Sequence, residues 1–196
     1  MPNWCSTIIT FHGKNAKKLE TLVDEWTKEK LPGVSDYFGE NWLGNCLVNS
    51  GIMSFEEACY GNIRCRGTID YLSYTDDEEL TMETSTAWGP AITMWKIIND
   101  TLNLDLSIVY TAEEPGCELY WTNDPVVKDT WMYEIINGDE NNYEVDEETV
   151  KELFENFVKE HDCENKEITE TSYYADDGID SFVAYKYLFV DDDESL

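Results

Sequence analysis

Basic side chains are scarce in this sequence: 13 Lys and Arg stand against 42 Asp and Glu, a formal net charge of −29 over 196 residues. A small domain stays soluble with a net charge of only about 2–8, so the excess acid carries a cost in self-repulsion. Nucleic acid and anionic membranes are poor direct partners for such a surface, because like charge repels and few cations exist to release counterions. Histidine is scarcer still, at two residues, His12 and His161. A hydrolytic nucleophile needs a base beside it, and there is almost no imidazole to supply one. His12 ends an alternating segment next to Gly13, and His161 ends a helical one, where a cation complements the helix dipole. Both are expected to be structural or surface residues.

Other absences narrow the field further. The sequence has no G-x-S-x-G, no phosphate-binding loop and no dinucleotide fingerprint. Its six cysteines (5, 46, 59, 65, 117 and 163) include no C-x-x-C pair, and neither histidine has metal-ligand spacing to a cysteine. They read as reduced core thiols, so the fold is expected to need neither disulfides nor zinc. No run of 18 apolar residues could span a membrane. Pro2 and Asn3 bring no charge and no apolar core follows them, so the N-terminus does not read as a secretory leader and a cytoplasmic protein is expected. Together these absences point away from an enzyme, a cofactor and a membrane.

What is present is a well-stocked core, with 42% hydrophobic and 13% aromatic residues. From Trp4 to Phe11 the chain alternates, and with apolar groups on both faces this reads as a central strand whose first core residues are Trp4 and Cys5. "NAKKLETLVDEWTKEK" then places Ala16, Leu19, Leu22, Val23 and Trp26 on one helical stripe, stopped by Pro32 and Gly33. Residues 34–52 read as an irregular insertion, and "MSFEEAC" as a short helix capped by Ser54. "NIRCRGTIDYLSY" and "LTMETSTAW", joined by the acidic tip Asp76, Asp77, Glu78 and Glu79, read as a hairpin. "GPAITMWKIINDTL" follows as a helix with Ile92, Trp95, Ile98 and Leu102 inward, and "LDLSIVYTAEE" as a strand. The order β-α-β-β-α-β is that of an α+β, ferredoxin-like sandwich. "CELYWTN" and "VVKDTWMYEII" are expected to extend its sheet as a meander.

Beyond residue 138 the composition shifts. Residues 139–196 hold 20 acids and 4 bases, a net of −16, against −13 for the first 138. This suggests a first domain over 1–138 and an acidic extension over 139–196. The extension comprises a helix capped by Asp146 with Val150, Leu153, Phe154 and Phe157 inward, a hairpin around "DDGID", and a solvated tail.

"MPNWC", "RGTIDYLSY", "TSTAWGPAITMWKII" and "LDLSIVYTAEEPGCELYW" together resemble the YubB-type family of phage and plasmid accessory proteins. The resemblance covers roughly residues 1–122. It implies a ferredoxin-like N-terminal domain and a mobile-element origin, and no established activity comes with it. Where that family shows N-W-G-T-K-W, this chain reads Arg66-Gly67-Thr68-Ile69-Asp70, so a ligand held by that Trp and Lys is not expected to carry over.

Several clusters have two readings each. Asp176, Asp177 and Asp180 around Gly178 could offer hard oxygens to a cation, but Asp-Gly turn chemistry alone accounts for them. Trp88 before Gly89-Pro90 could line a pocket, although packing at a strand end is the commoner role. Arg64 and Arg66 could hold an anion, or pair with Glu79 or Glu83 across the hairpin. Lys14, Lys17, Lys18, Lys28 and Lys30 form the one basic surface, too weak to offset the field. The acidity itself suggests a protein that competes with nucleic acid for a basic cleft. The expected partner is a basic, nucleic-acid-handling protein such as a host restriction or CRISPR component. The expected contacts are Glu148, Glu152 and Glu155 along one helix face, the turn Asp176, Asp177 and Asp180, and the tip Asp76–Glu79. The alternative is a phage interaction module that is acidic only for solubility.

Overall fold

Alternation over the first segment resolves into β1 (Trp4–His12), with Cys5, Thr7, Ile9 and Phe11 buried and Trp4, Ser6 and Ile8 exposed. The strand is central, as its pattern suggests, but only one of its faces packs. Trp4 is 53% exposed and Ile8 48% exposed. Because side chains alternate with period two, placing Cys5 in the core turns Trp4 out of it, so the core begins at Cys5. The computed structural model describes residues 3–28, 39, 41–75, 78–117, 119–128, 130–136, 143–163 and 165–190. It shows a mixed α+β protein of two units, one built chiefly from residues 1–119 and the other from 120–191.

In the first unit β1 is followed by α1 (Ala16–Lys28), α2 (Leu43–Asn49), α3 (Phe55–Tyr60), β2 (Gly67–Thr75), β3 (Glu79–Ala87), α4 (Ile92–Thr101) and β4 (Ser107–Glu114). These four strands are hydrogen-bonded in the order β4-β1-β3-β2, each pair antiparallel. Ala16, Leu19, Val23 and Trp26 of α1 are buried as the stripe predicts. Ile92, Trp95 and Ile98 of α4 are buried as well, and Trp95 meets Phe11 edge-on at 5.6 Å. The expected Pro32-Gly33 stop lies outside the described residues. Part of the expected irregular insertion is the helix α2, which buries Leu43, Cys46 and Leu47. Its Gly44 lies under the Trp42 ring, where a Cβ would sit 2.2 Å from Cζ2. Ser54 caps α3 within a full capping box, its hydroxyl accepting from Glu57 N–H while the Glu57 carboxylate accepts from Ser54 N–H. The carboxyl of Glu57 is accordingly held below its ordinary value.

The second unit contains β5 (Leu119–Thr122, which starts at the division), β6 (Trp131–Ile136), β7 (Tyr143–Val145), α5 (Glu147–His161), β8 (Asn165–Ile168), β9 (Ser172–Asp176), β10 (Ser181–Lys186) and β11 (Leu188–Phe189). Five strands form a sheet in the order β7-β6-β10-β9-β8. The expected hairpin around "DDGID" is β9–β10. Strand β6 does not extend the first sheet: its six residues pair with β10, Trp131 opposite Lys186 and Ile136 opposite Ser181. Its core residue Trp131 joins Val150, Phe154, Phe157, Tyr173 and Phe182 in one cluster. The units divide at 119/120, upstream of the composition change at 138.

Candidate functional site

The helix carrying three of the expected contacts begins at Asp146, whose Oδ1 accepts from Thr149 N–H at 2.7 Å. That bond holds the Asp146 carboxyl below its ordinary value. Because Val150, Phe154 and Phe157 are buried, the i, i+4, i+7 positions Glu148, Glu152 and Glu155 fall on the opposite face, and all three are exposed. Lys151 pairs with Glu147 at 2.6 Å and leaves that row untouched. At the tip of the β2–β3 hairpin, Asp76 and Asp77 lie outside the described residues. Glu78 is exposed in a left-handed turn conformation (φ 59°), its carbonyl accepting from Gly13 N–H. Glu79 sits opposite His12 and pairs with it at 3.4 Å.

The turn residues are committed to local structure. Asp176 accepts from the Tyr174 hydroxyl and from Gly178 N–H. Asp177 Oδ1 accepts from both Asp180 N–H and Ile179 N–H at 2.7 Å. Its other oxygen lies 2.8 Å from His161 Nδ1 at the end of α5, and Asp180 Oδ2 is 3.8 Å from the same nitrogen. The Asp177 carboxyl is held at about 2, chiefly by the Asp180 and Ile179 N–H groups and then by His161. His161 also stacks on Phe157 at 4.2 Å, so its role is structural: it ties the helix end to the turn. One ligand atom from each of His161, Asp177 and Asp180 lies within 4.8 Å of the others. These are the described residues that could approach a metal together, but hydrogen bonds within the turn account for their placement.

A concave site that the sequence reading did not locate lies in the first unit, with a volume of about 590 Å³. Its walls include Trp42, Ile63, Arg64, Arg66, Trp88 and Ala91, with the thiols of Cys59 and Cys65. No carboxylate is among the described residues that line it. The expected pairing of Arg64 and Arg66 with Glu79 or Glu83 is not formed. Strand β2 starts only at Gly67, opposite Thr86, while Glu83 lies opposite Tyr71 and Glu79 opposite Thr75. Both arginines therefore lie beyond the far end of the hairpin, beside Trp88, and neither guanidinium makes an ion pair with a described residue. Trp88 is not packed away either: it is 51% exposed and has φ 71°, a region that costs a bulky residue of order 1–3 kcal/mol. Neighbouring bonds hold it there. Trp88 N–H donates to the Asn3 carbonyl at 3.0 Å, Ala87 N–H to the Arg66 carbonyl at 2.9 Å, and the Thr86 hydroxyl to the Gly89 carbonyl at 2.7 Å.

The thiols near this site are poor nucleophiles. Burial pushes Cys46 up to about 12 and Cys65 up to about 11, which keeps both protonated at neutral pH. Cys65 Sγ–H donates to the Ala58 carbonyl at 3.0 Å. None of the six cysteines is in a disulfide; Cys5, Cys46 and Cys65 are core thiols as expected, whereas Cys117 is exposed. No helix among the described residues is long and apolar enough to cross a membrane. Comparison with protein-family models, curated proteins and solved structures finds no match to this chain.

Proposed function

We propose that this protein is a non-enzymatic acidic binding protein that occupies the nucleic-acid cleft of a basic partner and inhibits it by charge mimicry. The observation that carries this reading is the α5 row. Glu148, Glu152 and Glu155 are exposed on one helix face, on a chain of net charge −29. At 1.5 Å of rise per residue the steps along the row are about 6 and 4.5 Å, against 3.4 Å per charge along one DNA strand. The row is looser than a phosphate backbone. Its action is therefore through the summed field and fast, steered association rather than through charge-for-charge superposition. The raised thiols of the first unit agree with a binder rather than a nucleophilic enzyme.

The strand order β4-β1-β3-β2, with helices after β1 and β3, supports a ferredoxin-like sandwich bearing two extra short helices before β2. The resemblance to YubB-type proteins supports a phage or plasmid accessory role in the bacterial cytoplasm, with restriction or CRISPR proteins as the target class. A second reading, an interaction module acidic only for solubility, draws on the outward face of the first sheet. There Ile8 and Tyr71 flank Glu83 on adjacent strands, and Tyr71 is 51% exposed. Capture from a bacterial lysate at low salt, followed by elution with duplex DNA, separates the two. Mimicry predicts basic nucleic-acid-binding proteins that are displaced by DNA and by about 0.5 M salt. Partners that resist both would favour the apolar face and overturn mimicry.

A further inference from the structure

The cavity in the first unit inverts the charge of the molecule around it. Arg64 and Arg66 are the only arginines in the sequence, the other eleven bases being lysines, and both line this cavity. Guanidinium differs from ammonium in presenting a planar fork that takes a carboxylate or phosphate in two parallel bonds. Two such forks, with Cys65 between them and no ion pair to a described residue, match the two charges of a phosphate monoester better than the single charge of a carboxylate. Beside them are two indoles, one half-exposed, and the apolar side chains of Ile63, Ala58 and Ala91. Aromatic faces of this kind stack on flat rings. The volume of about 590 Å³ falls within the range of small-ligand sites.

Two features show that the backbone accommodates this arrangement. Trp88 is kept in a left-handed conformation by bonds on both sides, although Gly would adopt it freely. At Gly89 a Cβ would sit 3.0 Å from Arg64 Nη1, so the missing side chain leaves room for the guanidinium. We infer that this cavity binds a small phosphate monoester carried on a flat ring, a nucleoside monophosphate, with Arg64 and Arg66 on the phosphate and Trp88 on the ring. This inference is independent of the mimicry reading, whose carrying contacts are the α5 row of the second unit.

Tryptophan fluorescence titration of the full chain with adenosine 5′-monophosphate, adenosine and inorganic phosphate tests it. The monophosphate quenches emission and saturates below about 1 mM, and adenosine and phosphate alone each bind at least tenfold more weakly. Arg64→Gln and Arg66→Gln each weaken the monophosphate at least tenfold. Trp88→Gly relieves the strained φ, so it melts no lower than the parent and still loses the ring contribution; loss of binding there is not loss of fold. Raising salt from about 0.01 to 0.15 M screens the distant carboxylates, as the Debye length falls from about 30 to 8 Å. Affinity for the monophosphate therefore holds or rises over that range. Absence of saturation, equal affinity for all three probes, or binding unchanged in both arginine variants would overturn the assignment.

Discussion

Trp88, Arg64, Arg66 and Asp177 show how far local chemistry governs this chain. At Trp88 the sequence "WGP" marks a break in structure, but packing at a strand end is the default for a Trp there. Its exposure follows from a backbone conformation that no local rule assigns to Trp. Arg64 and Arg66 alternate with Ile63 and Cys65 like strand residues, yet the paired strand begins only at Gly67, where Ser85 O would lie 2.3 Å from any Cβ. At Asp177 the partner is 16 residues distant, so the contact with His161 could not be read from spacing. Its carboxyl, at 3.8 by default, is held at about 2 in the folded chain. A carboxyl depressed on folding contributes stability that is fully present above its unfolded value and is lost as pH falls through the folded one. Urea unfolding of Asp177→Asn beside the parent should therefore show a stability gap at pH 5 that closes between about pH 4 and 2. Parallel curves over that window would remove Asp177 from the acid limb.

Elements with a strong apolar stripe are the ones their periodicity defines. Helices α1, α4 and α5 bury the predicted residues, with only Leu22, Leu102 and Leu153 left partly covered. Helix α2 escaped because seven residues rich in Gly and Asn carry little intrinsic propensity. What makes it helical is burial of Leu43, Cys46 and Leu47 together with the fit of Gly44 under Trp42. Strand β6 was legible as a strand, but its membership of the second sheet is set by pairing with β10, some 50 residues later. On α5, like-charged neighbours at i, i+3 and i+4 cost a few tenths of a kcal/mol each. Glu148, in the first turn, recovers part of that from the helix dipole. Replacing Glu148, Glu152 and Glu155 together by Gln should thus raise the stability of the second unit by less than about 1 kcal/mol, measured by chemical denaturation. A marked loss would mean that the row supports the fold.

At the scale of the whole molecule, the excess charge is visible from composition alone, while its arrangement is not. The units divide at 119/120, ahead of the first strand of the second sheet, rather than at 138, where composition changes. The C-terminal region concentrates its charge at −16 over 58 residues, yet the carboxylates of its Asp-rich turn are bound up in their own turn and in His161. Of the described residues expected to contact a partner, the α5 row and Glu78 at the hairpin tip are exposed to solvent, and the row is the larger group. The most direct measurement is the association rate of the captured basic partner as a function of ionic strength, for the parent and for the triple Gln variant. Steering by the α5 row predicts a parent rate that falls steeply with salt, and a variant that is slower at low salt, less salt-dependent and convergent with the parent at about 0.5 M. Identical rates and identical salt slopes would contradict it and leave the row a solvated face.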